Sequence, residues 1–281
     1  MNSYNEKVAV ITGAASGIGR GLAEKAAALG MRLVLADVDR KGLAEVEQSL
    51  RARGTKVLVQ PTDVTRFDAL TALADAAYGE FGAVHLLFNN AGVLVDGISW
   101  ERSVEDWRWS FDVNVMGLIH GIKAFVPRML EANEDSVIVN TASTGGLLSG
   151  PYLGPYMATK HAAVSISETL HFELLSKQAK LRAAVLCPGE VATGIWHSER
   201  LRPEQYGEKA QFSTDAETAT HDYLTDSVSK GITPLELADI AFAGLSAGKF
   251  WLFSHPEFLK AQLARRVQSI NDESVPQLPK F

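Results

Sequence analysis

Cysteine is almost absent, with Cys187 alone among 281 residues. One thiol cannot form an intramolecular disulfide, so the chain must hold itself together by its core, and a reducing, cytoplasmic setting is expected. Blocks of Lys or Arg are also missing. With 27 basic against 33 acidic residues the net charge is −6, which argues against nucleic acid or an anionic membrane as the main partner. The longest uncharged stretch, Ser136 to Thr159, carries Gly145, Gly146, Gly150, Pro151, Gly154 and Pro155, which break a spanning helix. The opening residues MNSYNEK offer neither a basic n-region nor an apolar h-region, so no export signal is expected. Repeats and low-complexity linkers are missing too. Hydrophobic residues at 46% and charged residues at 21% speak for a globular chain. A chain of this length can bury about three quarters of its unfolded surface. One domain over 1–281 is therefore expected.

What is present is an alternation. Short apolar, β-branched runs occur at KVAVIT (7–12), RLVLAD (32–37), KVLVQP (56–61), VHLLFN (84–89), SVIVNT (136–141), LRAAVLC (181–187) and FWLFS (250–254). Near-continuous apolar character suits strands covered on both faces. Helical windows lie between them, near 17–30, 40–53, 66–82, 103–132, 156–178 and 234–247. This order predicts an α/β fold with right-handed crossovers and a parallel sheet. Residues 194–231 break the pattern, being polar, charged and strandless, and are expected to form a substrate lid with short helices. A last amphipathic helix is expected over 255–275.

Three local patterns carry chemistry. Thr12-Gly13-Ala14-Ala15-Ser16-Gly17-Ile18-Gly19 lies between the first strand and the first helix. Glycines there let the backbone approach a pyrophosphate whose charge meets the free N–H groups of a helix N-terminus. Asp37 closes the second strand, eighteen residues beyond Gly19, where a carboxylate accepts bonds from an adenosine ribose and repels a 2′-phosphate. Tyr156 and Lys160, four residues apart, share one helix face, and an ammonium beside a phenol favours the phenolate. Ser143 ends the fifth strand, where α/β sheets present ligands.

With Asn89-Asn90-Ala91-Gly92 after the fourth strand, these motifs resemble the short-chain dehydrogenase/reductases, in their single-domain branch, over about residues 5–253. The resemblance implies a Rossmann-type doubly wound sheet of seven parallel strands, ordered 3-2-1-4-5-6-7, with helices on both faces. It implies a nicotinamide cofactor and a homodimer or homotetramer. It also implies a catalytic tetrad of Asn114, Ser143, Tyr156 and Lys160. There, Ser143 and Tyr156 grip the substrate oxygen, Lys160 lowers the tyrosine pKa and binds the nicotinamide ribose, and Asn114 holds a relay water. Cofactor contacts would come from Gly13, Ser16, Gly17, Ile18, Gly19, Asp37, Val38, Asp63, Val64, Asn90, Ala91 and Gly92. Tyr156, Lys160, Pro188, Gly189, Val191 and Thr193 would complete them. Asp63 can equally serve as a helix N-cap.

The expected reaction interconverts a secondary alcohol and a ketone, with NAD favoured over NADP because Ala15, Ser16 and Val38 offer no cation beside Asp37. Arg40 and Lys41 are expected to begin the next helix and face water. Val93, Leu94, Gly145, Tyr152, Leu153 and Trp196 suggest an apolar wall for a hydrophobic or aromatic substrate, in keeping with a likeness to a subset that oxidises aryl carbinols. An NADP-dependent carbonyl or 3-oxoacyl-type reductase and a non-catalytic redox sensor remain as alternatives. His85, His120, His161 and His171 lack metal-ligand spacing, so no metal is expected. Trp107 and Trp109 are read as packing or interface residues, and Cys187 as a small buried apolar one.

Overall fold

The computed structural model describes residues 3–278, so the outermost residues of the expected 1–281 domain lie outside the described part. Its strands are β1 (Val8–Thr12), β2 (Arg32–Asp37), β3 (Val57–Pro61), β4 (Leu86–Asn89), β5 (Ser136–Thr141), β6 (Leu181–Cys187) and β7 (Trp251–Phe253). All neighbours pair in parallel, in the order β3-β2-β1-β4-β5-β6-β7. The helices are α1 (Gly17–Ala28), α2 (Arg40–Arg51), α3 (Phe67–Phe81), α4 (Val104–Phe111), α5 (Gly117–Ala132), α6 (Gly154–Ser176), α7 (Asp215–Ser229), α8 (Pro234–Ser246) and α9 (Pro256–Asn271). The seven expected strands and the predicted order are all found in this Rossmann-type fold.

Strand periodicity divides the core into two layers. Ile11, Leu35, Phe88 and Val139 point to one face, packed with Leu22, Leu43 and Phe242 from α1, α2 and α8. Val10, Val34, Leu87 and Ile138 point to the other, packed with Leu70, Phe125 and Leu174 from α3, α5 and α6. Each such side chain, once fully buried, contributes about 1.5–3 kcal/mol. The two-sided cover explains why the strands read as apolar runs rather than alternating ones.

Three elements differ from expectation. The window 103–132 is not one α-helix, because a π-helical turn at Asp112–Met116 separates α4 from α5. The segment 194–231 holds a fifteen-residue helix, α7, besides short 3-10 turns at Ile195–Leu201 and Glu204–Tyr206. Its N-terminus is a capping box, Thr214 with Glu217, a signal legible in the sequence. The last helix stops at Asn271, short of 275. Among the described residues, no helix is long and apolar enough to cross a membrane.

One buried histidine ties the sheet to pH. His85 Nδ1 accepts the Val8 N–H at 3.1 Å while Nε2 meets Glu134 at 2.9 Å, so the ring is neutral with its proton on Nε2. Burial holds His85 below its ordinary value of 6.5, with Glu134 pulling the other way. A depressed folded pKa gives stability that is present above the unfolded value and lost as pH falls through the folded one. The unfolding midpoint should therefore drop as pH is lowered from about 7.5 to about 5.5. In His85→Asn, whose Oδ1 can take the Val8 N–H, that dependence should flatten. An unchanged slope in the variant would assign the effect to another group.

Candidate active site

The carboxyl ends of the strands open into a cavity of about 700 Å³. Every residue expected to touch cofactor or substrate lines it, except Tyr152. Tyr152 instead adopts a left-handed backbone, φ 61°, and its carbonyl accepts the Gly97 N–H at 2.7 Å.

The turn from β1 to α1 forms the floor at one end. Gly13 and Gly17 have φ of 67° and 51°, a region costly for other residues. A Cβ on Gly19 would stand 2.0 Å from the Gly13 carbonyl oxygen, so this close approach demands glycine. Ser16 caps α1 with extended backbone and no side-chain bond, and the first turn holds no acid. The first N–H groups of α1 are thus left for an anion. Asp37 stands beside them, its Oδ2 accepting from Ala15 N and its Oδ1 from Asp39 N, both at 2.9 Å. Burial pushes this carboxyl above its ordinary value, and the two N–H donations restrain the rise. Asp63 accepts from the Thr65 N–H and hydroxyl and does not cap α3, whose N-cap is Arg66. Cradle, open helix end and fixed carboxylate fit a dinucleotide.

At the other end stand Ser143, Tyr156 and Lys160. Ser143 follows β5, its Oγ accepting from Gly145 N at 3.1 Å and donating to Pro188 O at 3.4 Å. Lys160 Nζ donates to Thr141 O at 3.1 Å and lies 5.5 Å from the centre of the Tyr156 ring. Burial brings Lys160 down to about 8. Burial also pushes the Tyr156 phenol above its ordinary value, while the Ser143 hydroxyl pulls it back. The Tyr–Lys pair alone was expected to lower it. The ammonium is turned toward Thr141 and itself desolvated, so the dry pocket wins in the protein alone.

Asn114 sits behind this group rather than on the cavity wall. The π turn aims its side chain so that Oδ1 accepts from Val93 N at 2.8 Å, while Nδ2 donates to Val93 O at 2.9 Å and Thr159 Oγ1 at 3.0 Å. A Cβ on Gly92 would lie 3.3 Å from Asn114 Oδ1 and 3.4 Å from Lys160 Nζ, so the two side chains converge at Gly92.

The segment after β6 roofs the cavity, and a few of its polar residues turn inward while most face solvent. Arg202 and Asp106 form a fully buried ion pair at 2.7 Å, with the guanidinium over the Trp109 ring at 5.2 Å. The Tyr206 hydroxyl donates to Asp112 at 2.9 Å, and Ser198 Oγ accepts from Leu94 N at 3.2 Å. Glu217, on α7, accepts from Ile98 N at 2.8 Å and from Ser213 and Thr214. Burial alone would raise its carboxyl, but these donors hold it down at about 2. Asp96, 4% exposed, takes Lys209 at 2.7 Å and His221 at 2.6 Å.

Sequence reasoning missed several lining residues. Trp109, read as packing, is buried yet faces the cavity, and Arg200, Met157, Tyr223, His255 and Phe258 join it. His255 and Phe258 arrive on α9, whose contact with the site is non-local. His255 Nδ1 meets Ser254 Oγ at 2.7 Å, which accepts the Gly189 N–H at 2.8 Å. Cys187 is fully buried, and burial pushes its thiol up to about 12.

Comparison with known proteins agrees with this geometry. The short chain dehydrogenase family pattern matches residues 7–204. A crystal structure of a short chain dehydrogenase/reductase from Burkholderia phymatum in complex with NAD is 46% identical. It superposes with a TM-score of 0.96 and covers 100% of both chains. A CLA biosynthesis dehydrogenase/reductase of Lactiplantibacillus plantarum is 31% identical over 98% of this chain and 97% of its own. A C alpha-dehydrogenase of Sphingobium is 29% identical, over 98% of this chain and 89% of its own. Glycine cradle, Ser-Tyr-Lys constellation, sheet order and sequence likeness agree, and the chain belongs to the short-chain dehydrogenase/reductase family of NAD(P)-dependent oxidoreductases.

Proposed function

We propose that this chain is an NAD(H)-dependent dehydrogenase that interconverts a hydrophobic secondary alcohol and its ketone. The observation that carries the reading is the placing of Ser143 and Tyr156 against an otherwise apolar chamber. Val93, Leu94, Leu153, Met157, Trp196 and Phe258 form much of its wall. Such a wall binds by area and shape. The relatives named C alpha-dehydrogenase and CLA biosynthesis dehydrogenase/reductase support the dehydrogenase reading.

When bound, the nicotinamide supplies the hydride acceptor or donor and, in its oxidised form, a positive charge beside Tyr156. Ser143 and Tyr156 hold the substrate oxygen by hydrogen bonds. In the ketone-reducing direction the neutral phenol donates its proton to that oxygen, and in the alcohol-oxidising direction the phenolate takes it. Lys160, fixed by Thr141 O, donates to the nicotinamide ribose and favours the phenolate. Asn114 and Lys160, converging at Gly92, frame the position of a water that passes the proton outward. Asp37 accepts from the adenosine ribose and disfavours a 2′-phosphate. Arg40 and Lys41 are exposed at the start of α2, as expected.

The polar segment serves as the expected substrate lid, a roof that keeps the chamber dry. A homodimer or homotetramer fits the exposed apolar residues Val104 and Phe111 on α4, Met116 in the π turn, and Phe172 and Leu175 on α6. A reducing, cytoplasmic setting fits the inert, buried Cys187.

Tyr156→Phe should lower turnover by about a hundredfold or more, the usual share of a general acid-base group, with NADH affinity nearly unchanged. Lys160→Ala should lower both turnover and NADH affinity. Steady-state kinetics and NADH fluorescence titration separate these effects. A Phe variant that keeps more than about a tenth of the rate would remove tyrosine as the proton carrier. A second prediction concerns the roof. Arg202→Ala leaves Asp106 buried and unpaired, a loss of about 3–5 kcal/mol. Hydrogen exchange over residues 195–210 should then speed about a hundredfold or more while β1, β4 and β5 stay protected. Equal exchange in both proteins would show that this pair does not fasten the roof.

A further inference from the structure

The sequence places no cation beside Asp37, but the fold does. Arg200 belongs to the 3-10 turn Ile195–Leu201 of the roof, and it lines the same cavity as Asp37 and Val38. Its Nη2 lies 3.7 Å from Asp39 Oδ2. Asp39 is the N-cap of α2, its Oδ1 accepting from Gly42 N at 3.0 Å, and its own N–H donates to Asp37. The guanidinium thus reaches from the substrate side of the cavity to the corner where Asp37 receives a ribose.

The pair with Asp39 is loose. At 3.7 Å it exceeds a hydrogen bond, and the two side chains are 46% and 27% exposed, so it contributes little to folding. The planar fork keeps donors free beside a carboxylate already held by backbone N–H groups. We infer that Arg200 is a specificity-determining residue for the cofactor, a cation lent by the roof that offsets part of Asp37's rejection of a 2′-phosphate. Discrimination between the two cofactors is then a balance at one corner between the Arg200 cation and the carboxylates of Asp37 and Asp39. Asp37 is half-buried and fixed by two backbone N–H donors, Arg200 half-exposed and long, so the carboxylate side dominates and NAD stays favoured. This inference rests on the cofactor reading above.

The test uses adenosine fragments as competitors of NADH, followed by fluorescence. If NADH fails to bind the wild-type protein, the cofactor reading itself falls. If NADH binds, 5′-AMP should displace it more readily than adenosine 2′,5′-bisphosphate does. In Arg200→Gln that gap should widen by about three- to tenfold, the scale of one half-exposed charge pair. In Arg200→Lys, which keeps the charge, it should widen less, and added salt should shrink the difference between wild type and Gln variant. Circular dichroism should show both variants folded, since the side chain is exposed. A gap that is the same in Arg200→Gln as in wild type, whether or not both fragments weaken together, would overturn the assignment.

Discussion

A line of hydrogen bonds joins the carboxyl ends of three central strands, and Lys160 hangs from its end. Thr12 Oγ1, at the end of β1, accepts from Asn90 N at 2.9 Å and Ala91 N at 3.1 Å. The Asn90 side chain donates back to Thr12 O at 3.0 Å and accepts from Thr141 Oγ1 at 3.3 Å. Thr141 O then receives Lys160 Nζ at 3.1 Å. The glycine turn after β1, the loop after β4 and helix α6 therefore share one register. A shift of any strand by one residue would exchange its faces and break both core layers and this line at once.

That line also sets the electrostatic problem of the site. Lys160 is fastened to a carbonyl in a dry place, and burial brings it down to about 8. Tyr156 is pushed the other way by the same dryness. Each shift favours a neutral side chain, so the protein alone holds a phenol and a weakly held ammonium side by side. A bound cation between them changes that balance more than it would in water, because the low dielectric that raised the phenol also strengthens its attraction to positive charge. Dryness is the price of this leverage, and it requires a roof.

Much of this was legible in the sequence. The central strands could be read because they are covered on both faces; the glycine turn and the Tyr156–Lys160 pair stood out by their short spacings, and Ser143 through the family resemblance. The roof was not legible, for a physical reason. Composition tells how polar a side chain is, not whether a partner waits for it, and Arg202, Glu217 and Tyr206 have theirs far away in sequence. Arg200 and the α9 residues were hidden in the same way.

The choice of ion pairs to fasten the roof follows from what lies beneath it. An apolar segment laid over an apolar chamber would find the chamber wall as good a partner as its intended seat. Charged groups cannot satisfy themselves there, since an unpaired buried charge is costly. Arg202 finds Asp106, Glu217 finds the Ile98 and Ser213 N–H groups, and Lys209 and His221 find Asp96. Each partner lies on α4, on α7's own N-terminal turn or in the stretch from Asp96 to Ile98, outside the set of residues that line the cavity. Replacing these pairs by well-packed apolar groups could leave the folding free energy little changed. What would be lost is the difference between the seated roof and a collapsed one, and with it the open volume that the substrate needs.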